Sequence, residues 1–169
     1  MPLHPALWQP RFLSPTHGRI TLSRMVELMG EFLRLQPQAA YRLLIGTDSL
    51  AGRGETTMLV SAVVLHRQGN GGIYFVLKQR FQHLATLQLR MYQEAQTSIN
   101  VARHLLEDPG ISALLINDIE IHVDIGHRGP TRLLIQEIVG MVRANGFPVR
   151  TKPDAVAASK VADRYTTPQ

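Results

Sequence analysis

The chain has 169 residues, 44% of them hydrophobic and 18% charged, which suits one folded domain and excludes a disordered tail. Cys is absent, so disulfides, cysteine nucleophiles, thiolate zinc sites and cysteine-ligated iron–sulfur clusters are excluded. Lys and Arg number 18 against 13 Asp and Glu, and the resulting +5 tolerates a polyanionic partner without requiring one.

Residues 1–20 hold Pro2, Pro5, Pro10, Pro15 and Gly18, and read as an irregular, proline-rich arm. Residues 21–169 read as a single domain that begins with a helix. Thr21 is placed to cap that helix over Leu22–Leu35, where Leu22, Met25, Val26, Met29, Phe32 and Leu33 fall three and four apart. Tyr41–Thr47 reads as a strand, followed by a turn-rich stretch from Asp48 to Gly54. Thr57–His66 and Ile73–Lys78 are two more strands, joined through the hairpin turn Arg67–Gly72.

A long helix is expected over Leu84–Glu107, with Leu84, Leu87, Met91, Ala95, Ile99, Ala102 and Leu106 as its buried stripe. Ile111–Ile116 reads as a short strand or turn. Ile119–Ile125 alternates as a strand. A helix opens at Gly129-Pro130-Thr131 and runs to Asn145, ended by Gly146. Phe147–Thr151 is a last short strand, and Asp154 stands at the start of a final helix, Ala155–Tyr165.

This order predicts an α/β fold: a mixed five-stranded sheet, its first three strands antiparallel and the later ones parallel, with helices on both faces. No apolar run reaches the ~18 residues that a membrane-spanning helix needs. The N-terminus lacks the pattern of a secretory signal, so the cytoplasm is the default expectation.

Four carboxylates draw attention. Asp48 sits where the first strand runs out. Period-two alternation puts Glu120, His122 and Asp124 on one face of a strand and Ile121, Val123 and Ile125 on the other. If those two strands are parallel neighbours, Asp48 and Asp124 stand side by side. Either one then takes a proton or a divalent cation offsets the charge, and oxygen ligands favour Mg²⁺ or Mn²⁺. The alternative is separate Asp residues that cap turns. Glu94, beside the apolar stripe of the long helix, is a third candidate ligand, unless it simply pairs with Arg90. Asp154 is either an N-cap or a fourth carboxylate facing the same end of the sheet. Asp163 lies nine residues further, about 13 Å along a continuous helix, and is the alternative to Asp154.

Two strand-end Asp residues, a helical Glu and an Asp at the last helix resemble the ribonuclease H-like superfamily of metal-dependent nucleases. Gly46-Thr47-Asp48-Ser49-Leu50-Ala51-Gly52-Arg53-Gly54 resembles the first-strand motif of ribonuclease HII, with Asp48 at its metal-binding aspartate and Ser49 at its catalytic glutamate. Lys152-Pro153-Asp154 with Ala157-Ala158-Ser159 resembles a second motif of that enzyme. The chain is closer to the bacterial YkuK-like family, itself expected to be ribonuclease H-like. That resemblance rests on Ile45–Ser49, Ile121–Gly126, Glu137–Val142 and Lys152–Arg164.

The resemblance implies a nuclease acting on RNA, RNA/DNA hybrid or DNA. Asp48, Glu94, Asp124 and Asp154 would hold two Mg²⁺ or Mn²⁺ ions that activate water and steady the leaving oxygen. Around them, His122 is a candidate to orient a carboxylate and His127 to shuttle protons. Lys152 and Arg53 are candidates to meet phosphate. The serious rival is a non-catalytic nucleic-acid-binding or scaffold protein on the same fold. A Walker-type loop and a complete dinucleotide fingerprint are both missing from the sequence.

Overall fold

The computed structural model describes residues 8–51, 55–114, 116, 118–126, 132–155 and 157–166. Among them, the strands form one seven-stranded sheet rather than the expected five. The chain opens with β1 (Arg11–Ser14) and β2 (Gly18–Thr21), then α1 (Leu22–Leu35). Three long strands follow: β3 (Tyr41–Ala51), β4 (Thr56–Arg67) and β5 (Gly72–Gln82). Next come α2 (Leu87–Glu107), the short α3 (Pro109–Ala113), β6 (Ile119–His122), α4 (Arg132–Ala144), β7 (Val149–Arg150) and α5 (Ala157–Thr166).

The strand order is β2-β1-β5-β4-β3-β6-β7. The three long strands are antiparallel, and β6 and β7 add in parallel beyond β3. The expected mixed sheet is therefore present, extended by two strands.

Those two strands come from the stretch read as an irregular arm. Pro10 and Pro15 flank β1 instead of interrupting it, and Gly18, with φ 69°, supplies the turn into β2. Residues 1–7 lie outside the described residues.

Other boundaries also moved. Asp48–Ala51, read as turn, continue β3, because each residue pairs with β4 as far as Ala51 opposite Thr57. The long helix begins at Leu87 rather than Leu84. Thr86 caps it by accepting from the Leu89 N–H, while the Leu84 N–H bonds back to Thr57. Leu87 and Leu106 are accordingly exposed rather than part of the buried stripe. Ile111–Ile116 holds part of α3, capped by Asp108, in place of a strand. Asp154 does not cap the last helix. It lies in a turn three residues ahead of α5, its N–H bonded to the Thr151 carbonyl.

Alternation along the strands sorts the core into two layers. Leu43 and Ile45, Val63 and Leu65, Phe75 and Leu77 face α1, α2 and α4 in the larger core. Leu44, Ala62 and Val64 face Ala158 and Ala162 of α5 on the other side. Gly46 lets α5 come close: a Cβ there would lie 3.0 Å from the Ala158 Cβ. This two-sided cover puts helices on both faces and leaves the C-terminal end of β3 between α2 and α5.

Candidate functional site

The register of β3 against β6 builds the site. Gly46 pairs with His122, so two residues further along Asp48 comes level with Asp124. The strands are parallel neighbours, as the sequence argument required. Asp48 belongs to the face that α5 covers, and the Thr166 hydroxyl of α5 donates to its Oδ2 at 2.7 Å. Asp124 lies just past the paired part of β6. Val123 and Ile125 on either side of it are buried, which turns Asp124 outward to solvent. Its Oδ1 receives the Lys152 ammonium at 2.6 Å.

Glu94 arrives from the opposite face. The Ser98 hydroxyl donates to Thr47 Oγ1 at 2.8 Å, and Thr47 is itself 2.8 Å from the Ser61 hydroxyl. All three residues are buried. This hydroxyl cluster fastens α2 to β3 and β4. One helical turn before Ser98 is Glu94, and one pleat beyond Thr47 is Ser49. The two therefore meet, and the Ser49 hydroxyl donates to Glu94 Oε1 at 2.5 Å.

Burial pushes the Glu94 carboxyl up to about 7. The Ser49 hydrogen bond works against that rise, and the charges of Asp48 and Asp124 add to it. Glu94 thus feels both aspartates, although the three come from two faces of the sheet. Asp154 is exposed in its turn. Among the described residues, no three His, Asp or Glu side chains converge closely enough to hold a metal ion. Lys152 sits on Asp124, Thr166 on Asp48 and Ser49 on Glu94. Each of these carboxylates already has a protein partner, so an ion shared among them would first have to displace the exposed Lys152 ammonium from Asp124.

His122 is buried, and its Nε2 lies 2.8 Å from Glu120 Oε1, so it orients Glu120 rather than either aspartate. Arg150 Nε donates to the other Glu120 oxygen at 3.3 Å. Burial lowers the His122 pKa despite Glu120. For Glu120, burial acts upward, but the bonds from His122 and Arg150 outweigh it and hold the carboxyl below its usual range. A neutral imidazole then donates from Nε2 and leaves the buried Nδ1 without a partner among the described residues.

Arg53 and His127 lie outside the described residues, as does the Asp163 side chain on α5. The structure adds Ser49, Thr47, Ser61, Ser98 and Thr166 to the site. A hydroxyl inside an otherwise apolar run was the available signal for Ser61, whereas Thr47 stands at the end of such a run and Ser98 lies in a polar stretch of α2. Thr166 carried none, since it acts across 118 residues of chain.

A family model described as Ribonuclease H-like matches residues 24–167. "Uncharacterized protein YkuK" of Bacillus subtilis (strain 168) is 30% identical over 167 residues, spanning 92% of this chain and 96% of that protein. No solved structure matches. Among the described residues, no helix is long and apolar enough to cross a membrane.

Proposed function

Since the chain belongs to the ribonuclease H-like superfamily, with a YkuK-type homologue across most of its length, we propose that it is a nucleic-acid-binding protein whose strand-end carboxylates serve structure rather than hydrolysis. The observation that carries this reading is the 2.6 Å ion pair between Lys152 and Asp124. In this reading Lys152 takes the role that a divalent cation plays in a nuclease of the same fold. It offsets the charge of Asp124, with Thr166 and Ser49 satisfying Asp48 and Glu94. The net charge of +5 is compatible with an anionic partner.

A second reading is the Mg²⁺- or Mn²⁺-dependent nuclease. It is favoured by the Ser49–Glu94 bond, which brings a helical carboxylate to the residue standing at the catalytic glutamate of ribonuclease HII. The common influence of Asp48 and Asp124 on Glu94 favours it too. It requires Lys152 to leave Asp124.

Calorimetric titration with Mn²⁺, wild type beside Asp124→Asn, separates the two. The binding reading expects no saturable site in wild type. It also expects oligonucleotides to bind equally in EDTA and in Mn²⁺, and to remain intact. Saturable Mn²⁺ binding that Asp124→Asn abolishes, with cleavage of RNA, DNA or hybrid, would establish the nuclease instead.

A further inference from the structure

The face of the sheet that α5 covers is only partly covered. α5 packs on β3, β4 and β6, and the extra strands β1 and β2 continue that face beyond it. The register defines what they present. Phe12 and Ile20 are buried on the α1 side, so their neighbours Arg11, Leu13, Arg19 and Thr21 face the other way. Leu13 pairs with Val76 of β5, and one step further along that register Arg11 comes level with Lys78. Lys78 pairs with Val60, and Val60 with Asp48. A single row across the sheet therefore runs Thr21, Arg11, Lys78, Val60, Asp48.

Arg11, Arg19 and Lys78 are exposed. Arg80, two residues beyond Lys78 on the same face, is exposed as well. None of these four cations forms an ion pair among the described residues. Lys78 lies where α5 ends, its ammonium 5.6 Å from the centre of the Tyr165 ring. Arg11, Arg19 and Lys78 surround a shallow depression of about 330 Å³, floored by Leu13 and Val76. From β2 to β5 is two strand spacings, roughly 10 Å.

We propose that this depression and its cations hold the backbone of a single-stranded nucleic acid. Its phosphates would lie on Arg11, Arg19 and Lys78, the track ending where Tyr165 of α5 meets Lys78. The inference rests on the nucleic-acid reading above and adds the place and the strandedness. Three cations around one small apolar floor match a single phosphate backbone, with a sugar over Leu13. A duplex would need two such sets of cations separated by a groove roughly 12 Å wide. Lys78 ties the track to the site, since Asp48 is two strands away, again roughly 10 Å.

The test is fluorescence anisotropy in EDTA with a labelled oligouridylate and an oligothymidylate of about fifteen nucleotides, beside a duplex of the same length. Wild type is compared with Arg11→Gln/Lys78→Gln and with Arg132→Gln/Arg143→Gln. The second pair makes the same charge change on α4, in the opposite helical layer. All substituted residues are exposed, and thermal melts check that each variant folds.

The expected result is at least a tenfold weaker single-strand affinity for the Arg11/Lys78 variant. Its salt slope should fall by about 1.4, about 0.7 for each lost phosphate contact, while the α4 variant stays near wild type. Equal weakening of both variants would reduce the effect to net charge and overturn the track while leaving nucleic-acid binding intact. Tighter binding of the duplex, lost in the same variant, would overturn the single-stranded assignment. A wild type that binds none of the probes would overturn the nucleic-acid reading, and the track with it.

Discussion

Asp48 and Ser49 are consecutive residues of β3 held from opposite faces of the sheet: Thr166 of α5 donates to Asp48, and Ser49 donates to Glu94 of α2. The pleat turns adjacent side chains apart, so two helices that do not share a core layer meet at one strand end. That arrangement gives the site a charge balance that depends on pH, on packing and on Lys152.

Glu94 sets the pH dependence. Its carboxyl is raised to about 7 in the fold from an ordinary 4.5, so between these values the folded chain holds a proton that the unfolded chain has lost. The stabilisation is full below pH 4.5 and is lost as pH rises through about 7. Its size is on the order of 3 kcal/mol. Urea unfolding at intervals from pH 4 to 8 should show this decline, and Glu94→Gln should flatten it. An unchanged slope in the variant would assign the decline to other groups.

The buried hydroxyl cluster positions Glu94. Thr47→Val keeps the shape but strips Ser98 and Ser61 of their shared partner, at a cost of about 1–3 kcal/mol. Because the cluster fixes α2 over β3, the same change should also move the Glu94 titration, read by carboxyl NMR. Loss of stability with an unmoved titration would limit the cluster to packing.

Gly46 sets the approach of α5. Gly46→Ala would place a methyl 3.0 Å from Ala158 Cβ and 3.3 Å from the His122 carbonyl oxygen, forcing the helix away from the sheet. The expected loss is about 1–3 kcal/mol. It should be accompanied by faster hydrogen exchange along α5, since Thr166 is then drawn off Asp48. A variant as stable as wild type would mean that the helix shifts without cost.

Lys152 is the switch between the two functional readings. Lys152→Ala removes the ammonium from Asp124 and leaves Glu94 facing the charges of both aspartates without that cation. Calorimetry should still detect no saturable Mn²⁺ binding, since no three of the described carboxylate and imidazole side chains converge closely enough to share an ion. Saturable binding in the variant alone would show that Lys152 is what keeps an ion out, and would favour the nuclease reading.

Much of the fold was legible from local pattern. The cap at Thr21, the apolar spacing of α1 and of the middle of α2, the hairpin turn between β4 and β5, and the alternation of β6 are short-range properties of the chain. Period two also put Glu120, His122 and Asp124 on one face of their strand, and the condition that this strand lies parallel beside β3 is met, although β3 runs on three residues past Asp48. What the sequence could not supply were pairings between distant segments. β1 is too short to announce itself, and its prolines argued for irregular chain. It is a strand because Phe12 packs under α1 and pairs with Leu77 across 65 residues. The same holds for the partners of the site: Ser49 finds Glu94, Lys152 finds Asp124 and Thr166 finds Asp48 only once both helical layers have closed on the sheet. The sequence by itself determined the strand that carries Asp48, the helix that carries Glu94 and the strand that leads into Asp124. Only the tertiary structure decided what each meets there, because those partners are brought by burial of remote helices and by nothing in the local chain.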